Sequence, residues 1–307
     1  MTQAAPLTTD LLSAAGTDVN LNLSNSVNSV FGVASNGNFT FNNFGNVGLL
    51  GVSASGIASI SATGNITGIS LVSAAGLPVN VNPSTGIPFG AVQGGTGVAL
   101  NAGGAIGSTA APLAVAAPAL DAGAAYGIAI DLNAFGPRPA TVNTLRNTTT
   151  GDILLNAHGG TTITSLVSSP GNVTINTFSP LDVQRGITAG GSIFLSTAGV
   201  SRNGTPPNDM TLNGPFTYST STGTFEVTIG AFGALHLAGG LALTAPLFPN
   251  PLNIKSFTFV AGDPLANTIV AAAYNTTAPN RLLGARIVEE PPKKDKGDDK
   301  KAAAVCR

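Results

Sequence analysis

Charge is what this chain has least of. Only 9% of its 307 residues are Asp, Glu, Lys or Arg, against about a quarter in an ordinary soluble domain. No Asp, Glu, Lys, Arg or His occurs from residue 19 to residue 120, and the first positive side chain is Arg138. A net charge of −1 supplies no electrostatic basis for binding nucleic acid. Trp is absent and aromatics are 6%, so any core must be aliphatic. The lone cysteine, Cys306, excludes an intrachain disulfide. Apolar runs are broken by Gly, Asn, Ser or Pro well short of the roughly 20 residues a membrane-spanning helix needs, so no transmembrane segment is expected. The opening MTQAAPLTTDLL lacks the basic start and unbroken apolar core of a secretion signal. Disorder throughout is excluded too, because 43% of the residues are hydrophobic and disordered chains combine low hydrophobicity with high net charge.

What is there instead is glycine, 39 residues of it, with abundant Asn, Ser and Thr. A chain so poor in charge stays in water by exposing hydroxyls and amides. The glycines mark a repeat. GDILLNA (151–157), GNVTINT (171–177) and GSIFLST (191–197) start 20 residues apart, and Ile153 and Leu155 match Val173 and Ile175, then Ile193 and Leu195. Apolar residues at every second position are the signature of a strand with one buried face. Related openings occur in GNFTFNN (37–43), GNVGLLG (45–51) and GNITGISL (64–71), and alternation continues in GTFEVTIG (223–230), GALHLAG (233–239) and GLALTA (240–245).

Short strands returning every 20 residues between Gly and Asn corners predict an all-β fold, a right-handed parallel β-helix. Each coil lies on the one before it, about 4.8 Å away. Inward side chains then stack in apolar files, and Gly and Asn serve the corners because they tolerate left-handed backbone. The rival is an antiparallel sandwich or barrel, whose hairpins favour spacings of 8 to 12 residues. Phe194, on the outward face of its strand, is either a single exposed apolar residue or one covered by a loop or partner. Three regions are expected: 1–136, a β-helical stretch with irregular Ala/Pro-rich loops; 137–288, β-helical repeats of about 20 residues; and 289–307, a charged, disordered tail. STAAPLAVAAPAL (108–120) and FGPRPATV (135–142) read as loops leaving the coil or as the join between two solenoid stretches, with room for a short helix within 114–125. The tail carries ten charged residues, five of each sign, in positions 289–301. Cys306 near its end is a possible intermolecular tether.

Catalytic chemistry on a β-helix needs clustered carboxylates. Asp121 and Asp131 lie ten apart and would meet if a coil were short. Asp182 lies near Arg185 and 20 residues before Arg202, a surface ion pair at best. His158 and His236 have no Cys or His at ligand spacing. No catalytic, cofactor-binding or metal site is expected. Asn-x-Ser/Thr triplets at Asn38, Asn65, Asn147, Asn172, Asn203 and Asn275 are about what composition yields.

The 20-residue phase of GNVTINT and ITAGGSIFLSTAG (187–199) resembles the repeats of filamentous-haemagglutinin-like exoproteins, the large adhesins of bacterial two-partner secretion. The Lys/Asp-rich tail ending near a Cys also resembles the ends of some members, and VNPSTG (81–86) echoes the Asn-Pro motif of their secretion domain. The resemblance implies export through an outer-membrane secretion pore and an extracellular or bacterial cell-surface location. It further implies an adhesive rod that binds host or neighbouring-cell glycans or proteins, with this chain a C-terminal piece of a longer adhesin. Two alternatives belong to other classes: a carbohydrate-active β-helix enzyme, lyase or hydrolase, and a self-assembling amyloid-like matrix protein.

Overall fold

A computed structural model describes residues 1–69, 90–134, 136–178, 180–197 and 210–212 with their side chains. It also describes the backbone of strand residues 71–72, 78–79, 213, 216–218, 225–231, 235–238, 243–244, 254–261 and 285–287. The chain forms a parallel β-solenoid of about eight turns and contains no helix among these residues. Each turn gives one strand, or two short ones, to each of two sheets, here called A and B. Inward side chains from the two sheets meet between them as one core, aliphatic except for Phe39 and Phe41.

The files are continuous. On sheet A, Val19, Phe39, Ala58, Val98, Leu120, Val142, Ile163, Val183 and Leu212 pair in succession from one turn to the next. Each is 2% exposed or less. On sheet B, Ile153, Val173 and Ile193 stack, as do Leu155, Ile175 and Leu195. That is the arrangement the 20-residue repeat predicts. Antiparallel pairing is confined, among the described residues, to Leu71–Val72 with Pro78–Val79 and to the bridge between Ser108 and Ala111.

The repeat is regular only where it is visible in the sequence. Turns lengthen from Val115–Leu132 to Leu132–Ala157, and Val52 pairs with Val92 across a step that contains residues 70–89. Two expectations fail here. The Ala/Pro-rich stretch does not leave the coil and holds no helix: Leu113–Ala116 is a strand of sheet B and Ala119–Ala124 a strand of sheet A. Ala favours helix in isolation. Here Val115, Ala117, Leu120, Ala122 and Ala124 all point into the core, and Pro118, lacking an N–H, turns the chain between the two sheets. The second stretch is irregular only up to Pro139, after which Ala140–Asn147 joins sheet A.

The corners explain the Gly-Asn dipeptide, and the reason differs from the expected one. Gly45 and Gly151 do take positive φ, 89° and 93°, but Gly37, Gly64, Gly171 and Gly191 do not. At these four, a Cβ would collide with the side-chain oxygen of an Asp or Asn one turn earlier: Asp18, Asn46, Asp152 and Asn172. That oxygen accepts the N–H of the residue after the glycine. Asp18 Oδ1 takes Asn38 N at 2.8 Å, Asn46 Oδ1 takes Asn65 N at 2.8 Å, Asp152 Oδ1 takes Asn172 N at 2.7 Å, and Asn172 Oδ1 takes Ser192 N at 2.8 Å. The Asn then offers its own oxygen onward, as Asn38 does to Ile57 N and Asn65 to Ala105 N. Glycine is there to admit a neighbour's side chain, and Asx to satisfy backbone donors that a corner would otherwise leave unpaired.

A second set of Asn lies inside. Asn43 accepts Val27 N at 2.8 Å and donates to Val27 O at 3.0 Å. Asn133, the one non-glycine with positive φ among the described residues, does the same to Ala117 N and O at 2.9 and 3.1 Å. Each carboxamide thus completes both backbone bonds of a residue sixteen positions earlier. Both are buried, and buried amides need such partners.

Candidate binding surface

Outward positions on sheet A are almost free of charge. One file runs Asn20, Thr40, Ser59, Ala99 and Asp121; a second runs Asn42, Ser61, Asn101, Gly123 and Arg146. Further along, Thr141, Thr162, Asp182 and Thr211 stand in register on four successive turns, all half-buried. These four line an open groove of about 320 Å³, flanked by Pro118, Pro139 and Pro180. Gly160 lies between Pro139 and Pro180 in the stack, and a Cβ there would meet only open space. Asp182 Oδ2 accepts Gln184 Nε2 at 3.0 Å, while its Oδ1 is buried and has no donor among the described residues.

On sheet B the outward file changes character along the axis. Ala114, Asp131, Asn156 and Asn176 align, and Asn176 Nδ2 donates to Asn156 Oδ1 at 3.0 Å. His158, at the corner after its strand, places Nε2 2.7 Å from Asp131 Oδ1 and stacks on Phe178 with ring centroids 4.7 Å apart. Both side chains of the His158–Asp131 pair are about a third exposed, which makes it a surface contact worth about 0–1 kcal/mol. Phe178 and Phe194 are exposed, 47% and 42%. Phe194 aligns with Thr174 and thus projects outward as expected, whereas Ser196, two positions on, is buried.

Asp121 and Asp131 do not meet: the first is on sheet A and the second on sheet B. Asp182 makes no ion pair with Arg185, since His158–Asp131 is the one pair found among the described residues. No group of three His, Cys, Asp or Glu able to hold a metal occurs among the described residues. Arg202 and Cys306 lie outside them, as do Asn203 and Asn275. His236 is described in its backbone only, paired with Thr211. The remaining sequence triplets have their carboxamides engaged. Asn38, Asn65 and Asn172 serve the corner ladders, and buried Asn147 donates to Thr150 O and Gly151 O at 2.7 and 2.8 Å. The Asp131–His158–Phe178 contact had no signal in the sequence, because steps of 27 and 20 residues join only when the turn lengths are known.

Comparison with protein-family models, curated proteins and solved structures gives no match. No helix among the described residues is long and apolar enough to cross a membrane.

Proposed function

We propose that the chain is a segment of an adhesive rod of the filamentous-haemagglutinin-like kind. It is exported through an outer-membrane secretion pore and displayed on the bacterial surface, where it contacts glycans or proteins of other cells. The observation that carries this reading is sheet A. A parallel sheet presents hydroxyl and amide files in register over turn after turn, with Asp121, Arg146 and Asp182 as its few charges among the described residues. Such a surface forms many weak, directional hydrogen bonds rather than a long-range field. The β-solenoid suits a rod, since each turn touches only its neighbours and length costs nothing in packing. The rod acts by contact rather than by catalysis, a reading supported by the separation of Asp121 and Asp131 on different sheets. The test is to label intact producing cells with an antibody to the chain, and to compare attachment of wild-type and deletion cells to host and bacterial cell layers. Surface labelling with lost attachment in the deletion supports the reading. Absence of label from intact cells, or unchanged attachment, removes it.

A further inference from the structure

We propose that the groove on sheet A between Pro139 and Pro180 binds a neutral, hydroxyl-rich glycan segment, with Asp182 as its principal hydrogen-bond acceptor. The inference rests on the contact function above and gives that contact a place and a chemistry.

Three observations converge. Asp182 lines the groove, and its Oδ2, on the exposed side, has Gln184 Nε2 as its donor and a lone pair left to accept another, while its Oδ1 is covered and has no donor among the described residues. On either side of it along the axis, Thr162 and Thr211 place hydroxyls one turn away, about 4.8 Å. Pro139 and Pro180 then supply apolar ring edges beside this polar file, with a notch at Gly160 where the wall is missing.

The ligand class follows from what these groups offer and accept. A carboxylate flanked by threonine hydroxyls accepts and donates at alternate positions. An ammonium or guanidinium group only donates, so it satisfies Asp182 and leaves the threonine donors unused. A vicinal diol does both. An acidic sugar would bring its carboxylate or sulfate against Asp182 with no cation among the groove's described residues, which disfavours it. Pyranose rings also carry a C–H face that packs on proline, and an extended glycan repeats at close to the spacing of the turns. The volume, about 320 Å³, is at the small end for ligand sites, which run from about 300 to 1,000 Å³. That fits a short stretch of chain rather than a folded partner.

The experiment uses the full chain. Neutral oligosaccharides (glucan, mannan and galactan fragments) and acidic ones are arrayed, and the best neutral binder is titrated by calorimetry. The comparison set is Asp182→Ala, which removes the acceptor, Gly160→Phe, which fills the notch, and Thr174→Ala on sheet B as control, each checked for an unchanged circular-dichroism spectrum. Binding of a neutral glycan, weakened at least tenfold by Asp182→Ala and by Gly160→Phe and unaltered by Thr174→Ala, is the expected result. Glycan binding that both groove variants leave intact, or selection of acidic glycans alone, overturns the site. If no glycan binds while surface attachment persists in the cell assay, this inference fails and the rod reading stands; if attachment is also absent, both fail.

Discussion

At the scale of single residues, stability in this solenoid rests on pairs that sit in different turns. Asn172 Oδ1 and Gly191 are such a pair: the oxygen occupies the space a Cβ at Gly191 would need, in order to reach Ser192 N. Asn172→Ala should cost about 1 kcal/mol for the lost hydrogen bonds. Gly191→Ala should cost about 1–3 kcal/mol for the collision. In the double variant the carboxamide is gone, so the alanine methyl fits and the second substitution adds little. Urea denaturation of the four proteins reads this coupling, and simple additivity would refute the account. Gly171 is the control. Its Cβ would strike the backbone carbonyl of Gly151 as well as Asp152 Oδ1, so Asp152→Ala cannot rescue Gly171→Ala. The same engagement of side chains predicts that Asn147 and Asn172, whose Nδ2 groups already donate to Thr150 O and Gly151 O and to Asp152 Oδ1, carry no glycan in the folded protein. Peptide mapping by mass spectrometry checks this, and occupancy at Asn172 would be the most damaging result, because a sugar there breaks two ladders at once.

At the scale of the strand, alternation decides burial in the regular repeats. Ile175 is fully buried between Leu155 and Leu195, while its neighbour Thr174 points out. Ile175→Ala should lose about 2–5 kcal/mol, and Thr174→Ala should stay within about 0.5 kcal/mol; thermal or urea melts separate the two. This level was legible in the sequence, because period-2 patterning is local and the turns at Ile153, Val173 and Ile193 are equal in length. The Ala/Pro-rich strands were not legible. Ala114, Ala116 and Ala122 offer no contrast between a buried and an exposed face, and Ala is a helix former by local preference. Only the turns on either side, through Val92, Leu132, Val98 and Val142, hold them as strands. The groove was hidden for a related reason. Thr141, Thr162, Asp182 and Thr211 are separated by 21, 20 and 29 residues, and the last step departs from the repeat.

At the scale of the molecule, scarcity of charge has a measurable effect. With no Asp, Glu, Lys, Arg or His from residue 19 to residue 120, salt screening has almost nothing to act on. The melting temperature should move by less than about 2 °C between low and moderate sodium chloride, read by circular dichroism. A larger shift would mean that the pair of Asp131 with His158 matters more than its exposure allows. The Gly-Asx dipeptide has a wider consequence. It works as socket and plug in one unit: the glycine receives what rises from below, and the Asx extends to what comes above. A module bearing both ends is interchangeable with its own copy, so lengthening by tandem duplication needs no new joint. A protein carrying a second copy of residues 171–190 after Gly190 should therefore remain folded and grow by a single storey, about 4.8 Å, in its longest dimension by small-angle scattering.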